Sequence, residues 1–233
     1  MTIQGKASNS ARQSGLAEFV YGAVKERLLN GNLEPAQAVS VEALTEELDV
    51  SRQPVMGALK RLSVEGFVVI VPQVGCRVRQ YSSQEVTDFF RLFAEGEALV
   101  AEFVAERASL QEINRLEVIS DQIGRLRETT AEPDYTARQY RVLNRELHLE
   151  MRRISRSVPV AEVVETLGDR SDFFIAAARR PIFADRLTTA HDEHEEIIKA
   201  FRERDVATAR NVMKTHILQI EQRLRGAFVE VIE

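Results

Sequence analysis

The chain has 233 residues, of which 44% are hydrophobic and 29% charged, and its formal net charge is −5 at pH 7. This composition excludes a disordered chain and allows two domains, each with its own core. No apolar run approaches the roughly 18 residues of a membrane span and no apolar signal core opens the chain, so we expect a cytoplasmic protein. Cys76 is the only cysteine, which excludes an internal disulfide.

The N-terminal part predicts a tail followed by two helices. Residues 1–15 offer almost nothing to bury and are predicted to form a mobile tail. From residue 16 onward apolar side chains recur at helical spacing, and Asn30 and Gly31 are expected to end this first helix. Ser40 is the predicted N-cap of a second, shorter helix.

Residues 50–68 predict a third helix with a basic outer face. Ser51 is a suitable N-cap and Pro54 suits the first turn, while the apolar residues of the segment recur at helical spacing. The opposite face presents Arg52, Gln53, Met56, Gly57, Lys60 and Arg61. Such a face suits phosphates and base edges, although an ordinary amphipathic helix with a solvated basic side has the same pattern.

A small hairpin is predicted after this helix. Gly66 ends the helix, and residues 67–72 and 76–80 are typical of two strands joined near Gly75. Three helices and a hairpin make a winged helix-turn-helix over residues 16–81. Arg77 and Arg79 of the hairpin extend the positive charge, because residues 50–81 carry five basic side chains against one acidic side chain.

In this order the elements resemble the DNA-binding domain of the GntR family of bacterial transcription regulators. The resemblance rests on Gly31, Val-Ser-Arg-Gln-Pro-Val at 50–55, Ala58, Leu59, Leu62, Glu65, Gly66 and Gly75. It implies a homodimer on a short palindromic DNA operator, contacted by Arg52, Gln53, Met56, Lys60, Arg61, Gly75, Arg77 and Arg79. Met56 replaces an Arg that contacts guanine in relatives, so their operator is not expected here.

The second half of the chain predicts helices throughout. Ser82 with Glu85, and Ser109 with Glu112, form capping-box patterns, and the first of them opens a domain over residues 82–230. Helices are expected near 86–104, 109–126, 134–154, 159–168, 173–178, 185–204 and 205–228. The fold class is therefore mainly α, with a winged helix-turn-helix followed by an all-α bundle of six or seven helices.

Three of the four histidines fall on apolar helix faces. Asn144 and His148 lie one turn apart, while His194 and His216 belong to the last two helices. Imidazoles and one amide oxygen that converge from separate helices form a divalent metal site, and separately buried, hydrogen-bonded histidines are the alternative. His191 is either a partner behind such ligands or, as we favour, an exposed residue.

The positions of Asn144, His148, His194, Asp205 and His216 resemble the pattern of the FCD domain in the FadR subfamily. The resemblance implies a divalent metal, most often zinc or nickel, held by Asn144, His148, His194 and His216. It also implies a cavity for a small organic acid. Arg91 matches an arginine that reaches this cavity in relatives, and a surface ion pair with Glu95 is the alternative.

Two classes of function remain open on the sequence alone. One is a ligand-responsive transcription regulator. The other is a metal-dependent enzyme with a winged-helix interaction module, in which Glu150 or Glu195 acts as the acid–base group. The basic patch favours the regulator, since the enzyme does not explain it, and we expect no catalytic activity.

Overall fold

The computed structural model describes residues 4–128, 132–179 and 187–228. Its elements are α1 (Gln4–Leu29), β1 (Ala38–Val39), α2 (Val41–Glu47), α3 (Arg52–Val64), β2 (Val68–Val71), β3 (Gly75–Val78), α4 (Ser83–Arg107), α5 (Leu110–Arg125), α6 (Pro133–Ile154), α7 (Val158–Ala177), α8 (Leu187–Glu203) and α9 (Val206–Leu224). The predicted fold class, mainly α with a winged helix-turn-helix, is confirmed. Within the described ranges, no helix is long and apolar enough to cross a membrane.

The chain divides into two compact units. The first comprises Met1–Tyr81 together with Asp172–Arg179, and the second comprises Ser82–Ser171 with Arg180–Glu233. The sequence-based boundary after residue 81 therefore reappears, but a later segment also belongs to the first unit. Aromatic packing explains this addition, because Phe173 meets Phe67 edge-on at 5.6 Å and Phe174 meets Tyr81 at 4.8 Å between ring centroids.

The first helix is longer than predicted at one end and ends as predicted at the other. Its backbone is helical from Gln4, so the predicted tail is corrected for residues 4–15, while residues 1–3 lie outside the described ranges. Gly31 takes a left-handed φ of 72°, and the Asn32 amide donates to the Arg27 carbonyl, which satisfies the helix end.

The wing is a three-stranded sheet in the order β1-β3-β2. Val71 pairs with Gly75 at the tip of the β2–β3 hairpin, and the short strand β1 pairs with β3 on the other side. The sequence did not predict β1, since two residues carry too little pattern. Cys76 is buried on β3, and burial raises the pKa of its thiol, which suits a packing residue and not a reactive thiolate.

The second unit is a bundle of helices in which α4 makes its most extensive contact with α9. Both predicted capping boxes are formed: the Ser82 side chain accepts from the Glu85 amide, and the Ser109 side chain accepts from the Glu112 amide. Asp205 caps α9 by accepting from the Thr208 amide. Residues 181–186, which include the predicted start of α8 at 185, lie outside the described ranges.

One predicted break in the bundle is wrong. The helices expected near 159–168 and 173–178 are a single helix, α7, so the bundle contains six described helices, α4–α9. The predicted helix over 159–168 ends at Gly168, but in the structure this glycine lies inside α7. A Cβ at this position would lie 2.9 Å from Nη2 of Arg152, so the glycine leaves room for a guanidinium.

Candidate functional site

Part of the face predicted to contact DNA borders a groove. Helix α3 and the wing enclose a groove of about 580 Å³ in the first unit, and its lining includes Arg52, Met56, the wing residues 70–76 and Ser40. Met56, on α3, and Gly75, at the wing tip, therefore face a common groove. The structure thus brings together three of the predicted DNA contacts: Arg52, Met56 and Gly75.

Arg61 is not a simple surface cation. Its guanidinium lies 3.6 Å from the ring centre of Tyr21, and its Nη1 donates to Glu18 at 2.6 Å. Its Nε donates to Glu65 at 3.1 Å, and the hydroxyl of Tyr21 donates to the same carboxylate at 2.8 Å. Arg61 therefore joins α3 to α1, a role that the basic pattern of residues 50–61 did not reveal.

The other predicted DNA contacts differ in how firmly the protein holds them. Nη1 of Arg52 donates to Glu42 at 2.7 Å in an exposed ion pair, which a phosphate can replace at little cost. The guanidinium of Arg79 lies 4.6 Å from the ring centre of Tyr81. The remaining predicted contacts are exposed side chains of the same unit: Gln53, Lys60 and Arg77.

Three histidines of the second unit converge in its interior. His148 from α6, His194 from α8 and His216 from α9 are buried, and one ring nitrogen from each lies within 4.8 Å of the others. Their ring centres are 4.7 to 5.9 Å apart. Imidazoles at this separation from three helices fit zinc or nickel, for which neutral ring nitrogens are good ligands.

Asn144 lies one turn before His148 on α6 and is half-buried. The spacing places its amide on the side of the helix that carries His148. The hydroxyl of Tyr140 donates to its Oδ1 at 3.3 Å, which holds the amide oxygen in place. Its role as a metal ligand stays a prediction. His148, one of the three clustered histidines, lies on the same helix.

Two carboxylates lie next to the Nδ1 atoms of the histidines, and the sequence did not predict them. Oε2 of Glu193 lies 2.6 Å from Nδ1 of His216, and Oε1 of Glu97 lies 3.4 Å from Nδ1 of His148. A carboxylate that accepts the Nδ1–H of an imidazole leaves the lone pair on Nε2 for a metal. Glu97 and Glu193 carry no spacing pattern, since they belong to α4 and α8, far from the histidines that they contact.

Glu97 is held as a carboxylate by Arg152. It has no exposed surface, and Arg152 Nη2 donates to its Oε1. Burial alone would raise the pKa of Glu97, but the positive charge and hydrogen bond of Arg152, together with the nearby His148 ring, lower this pKa to about 2. Glu97 therefore remains a carboxylate beside Arg152 and His148.

The positions of Arg91 and His191 differ from some of the sequence-based predictions. Arg91 is exposed on α4, whereas the three histidines are buried, so its contact with an effector stays a prediction. Glu95, its alternative partner, pairs with Arg210 and Lys214 of α9 instead. His191 is half-buried and its Nδ1 lies 3.3 Å from Ser120 Oγ, so the favoured interpretation of an exposed residue is wrong.

The two acid–base candidates of the enzyme alternative are engaged elsewhere. Glu150 pairs with Arg115 at 3.1 Å and with Arg153 at 2.7 Å. Glu195 accepts from the hydroxyl of Ser120 at 2.6 Å. These partners explain both residues without a reaction at the histidine cluster.

A DNA-reading winged unit and a helical unit with a buried ligand cluster define a class of protein, the ligand-responsive DNA-binding regulator. The chain matches the gntR family of bacterial regulatory proteins over residues 16–78 and the FCD domain over residues 91–219. It therefore belongs to the GntR family, with an FCD domain as its second unit. Because the family consists of transcription regulators, the enzyme alternative is set aside.

Named relatives agree with this assignment along nearly the whole chain. The HTH-type transcriptional repressor GlaR of Escherichia coli K12 is 24% identical over 212 residues, 88% of this chain and 96% of its own length. The Nta operon transcriptional regulator of Aminobacter aminovorans is 26% identical over 204 residues, 86% of this chain and 92% of its own. The solved structure of E. coli McbR/YncC shares the fold at a TM-score of 0.73 and 20% identity, covering 90% and 96% of the two chains.

Proposed function

We propose that this protein is a FadR-type regulator that works as a homodimer in the cytoplasm. Two copies of α3 enter successive major grooves of a short palindromic operator. A divalent metal, zinc or nickel, is held by Asn144, His148, His194 and His216. A small organic acid binds with this metal and changes the affinity of the protein for DNA.

The single observation that carries the proposal is the convergence of His148, His194 and His216. Each histidine comes from a different helix, and all three are buried. Burial of three imidazoles costs free energy unless their ring nitrogens find partners. A divalent ion satisfies three of these nitrogens at once, and the carboxylates behind His148 and His216 support the tautomers that it needs.

The charge balance around the cluster favours an acidic effector. The three imidazoles and the amide of Asn144 are neutral ligands, so they add no negative charge of their own to the two positive charges of the ion. A carboxylate is thus attracted to the open coordination positions. Arg91 as a second anchor for the acid belongs to this proposal.

Closure around an effector gives the link to DNA binding. An effector that binds to the metal would draw α6, α8 and α9 together, since each of these helices contributes one histidine. The ligand shifts the protein between two arrangements only by its differential affinity for them. Couplings between two binding sites usually correspond to about 5- to 150-fold in affinity, which is the expected size of the effector response.

Measurement of metal content and DNA affinity in histidine variants tests the proposal. The native protein should hold about one zinc or nickel ion per chain by mass spectrometry, as the four-ligand site predicts. His148→Ala and His216→Ala should lose the ion and the response to organic acids, yet keep operator binding, because the winged unit is unchanged. The matched control is His191→Ala, since His191 contacts Ser120 and is not one of the three clustered histidines.

Two outcomes would contradict different parts of the proposal. Full metal content in both His148→Ala and His216→Ala would exclude the site. Loss of the metal with an intact response to the acid would make the ion structural and would place the effector elsewhere.

A further inference from the structure

A fully buried carboxylate stands behind the histidine cluster and is not one of the predicted ligands. Glu97 lies on α4, and its Oε1 faces two side chains of α6: His148 Nδ1 at 3.4 Å and Arg152 Nη2. Its second oxygen, Oε2, has no hydrogen-bond partner within the described part of the chain. Glu97 is thus held through one oxygen that it shares between an imidazole and a guanidinium.

This arrangement is too costly to be incidental packing. Burying a carboxylate and a guanidinium costs several kcal/mol for each ion, and an apolar pair of similar volume is often as stable or more stable. The bundle nevertheless adapts to the pair, because Gly168 of α7 lacks the Cβ that would lie 2.9 Å from Arg152 Nη2. Three helices, α4, α6 and α7, therefore contribute to holding one carboxylate beside His148.

The carboxylate acts on the imidazole in a definite way. The contact at 3.4 Å is not aligned as a hydrogen bond, but the negative charge of Glu97 favours the tautomer of His148 with its proton on Nδ1, which leaves the lone pair of Nε2 for a metal. A carboxylate behind the ring also makes the imidazole a stronger donor. Glu193 stands in the same relation to His216 at 2.6 Å.

The fourth proposed ligand explains why this support matters here. Asn144 is an amide and contributes no negative charge to an ion. We propose that Glu97 is a positioning residue of the metal site, supplying through His148 the negative charge that Asn144 does not provide. This inference rests on the proposed metal site and concerns its affinity.

The test is a double-mutant cycle between the two positions. Affinity for Zn²⁺ is measured by competition with a chelating indicator in the full-length native protein, Glu97→Gln, Asn144→Asp and the double variant. Glu97→Gln should weaken binding by about 10- to 100-fold, the usual effect of removing a partner behind a ligand. Asn144→Asp should tighten binding, and in its presence the loss caused by Glu97→Gln should shrink.

A spectroscopic measurement separates positioning from a merely structural effect. The absorption of bound Co²⁺ reports the ligand field, so Glu97→Gln should shift its visible bands, whereas Arg115→Met, which breaks an exposed ion pair, should not. If Glu97→Gln does not fold because Arg152 loses its partner, Glu97→Gln with Arg152→Met removes both charges. That double variant should show the same weaker binding.

The outcomes are distinguishable from a failure of the proposed function. A native protein that binds no metal contradicts the metal site itself. If the native protein binds Zn²⁺, unchanged affinity in Glu97→Gln, or in the double variant with Arg152→Met, overturns the positioning role. If Glu97→Gln reduces the affinity for Zn²⁺ by the same factor in the native protein and in Asn144→Asp, Glu97 does not compensate for the missing charge of Asn144.

Discussion

The two units of the molecule use charge in opposite ways. The winged unit exposes basic residues such as Lys60 and Arg77 on its surface, and exposed Arg52 lines the groove between α3 and the wing. The helical unit also exposes many charges, but it buries one ion pair: Glu97 has no exposed surface, and Arg152 is only 7% exposed. An exposed charge costs the fold little and serves a partner, whereas a buried charge needs a partner of its own inside the protein.

In the winged unit, different residues are expected to stabilise the fold and contact DNA, whereas in the helical unit the same residues are expected to stabilise the fold and bind the metal. The winged unit is held by apolar side chains, among them Val24, Leu59 and Phe67, so its exposed cations can vary without loss of the fold. In the helical unit the three histidines proposed to bind the metal are part of the core. Substitutions there should therefore affect stability and ligand binding together.

The largest expected effect is on the buried pair. Arg152→Met leaves the carboxylate of Glu97 buried without its counter-charge, which typically costs about 3–5 kcal/mol of unfolding free energy. Arg115→Met is the matched control, since Arg115 forms an exposed pair with Glu150 and its loss should cost about 0–1 kcal/mol. Urea unfolding followed by circular dichroism with a metal chelator present measures both. Equal stability of the two variants would contradict the comparison.

A smaller effect is expected on recognition of DNA bases. Met56 faces the groove of the winged unit, and its thioether cannot donate the paired hydrogen bonds with which Arg reads guanine. Met56→Arg should shift the selected operators toward guanine at one symmetric position, with about 1–3 kcal/mol of discrimination. Selection from a random DNA pool measures the shift, with Met56→Leu as the control. Identical consensus sequences from the native protein and Met56→Arg would place the residue away from the bases.

The smallest effect separates two neighbouring cations of α3. Lys60→Ala should reduce the slope of log affinity against log salt concentration by about one phosphate contact. Arg61→Ala should change this slope less, because Arg61 is paired with Glu18 and Glu65. Titrations of operator DNA at several salt concentrations compare the two variants. A larger change in slope for Arg61→Ala than for Lys60→Ala would show that the ion pairs open on DNA.

Local patterns in the sequence predicted what local chemistry determines. Gly31, with its left-handed φ, and the capping boxes at Ser82 and Ser109 each depend on residues a few positions apart, and all three predictions are confirmed. Gly168 misled the prediction, since its role is to approach Arg152 and not to end a helix. A glycine at a close contact and a glycine at a helix end look alike in a sequence.

The parts of the site that the sequence did not reveal depend on distant residues. Glu97 and Arg152 are 55 positions apart, and Tyr21 and Glu65 are 44 apart. No periodicity connects such pairs, because their meeting depends on how helices pack. The histidines could be predicted as candidates because the chain contains only four of them. Glu97 and Glu193 could not be singled out, because the chain contains 36 acidic residues.

The contacts of Arg61 also affect how the protein searches a genome. The guanidinium of Arg61 contacts Tyr21, Glu18 and Glu65. Helix α3 therefore offers less free positive charge to DNA than its sequence suggests. Binding to random DNA depends almost entirely on such charge, while recognition of an operator also uses base contacts. Because a bacterial chromosome presents about 10⁶ or more competing sites, weaker binding to all of them leaves more protein for the operator. We therefore expect the restraint of Arg61 to favour the operator over random DNA.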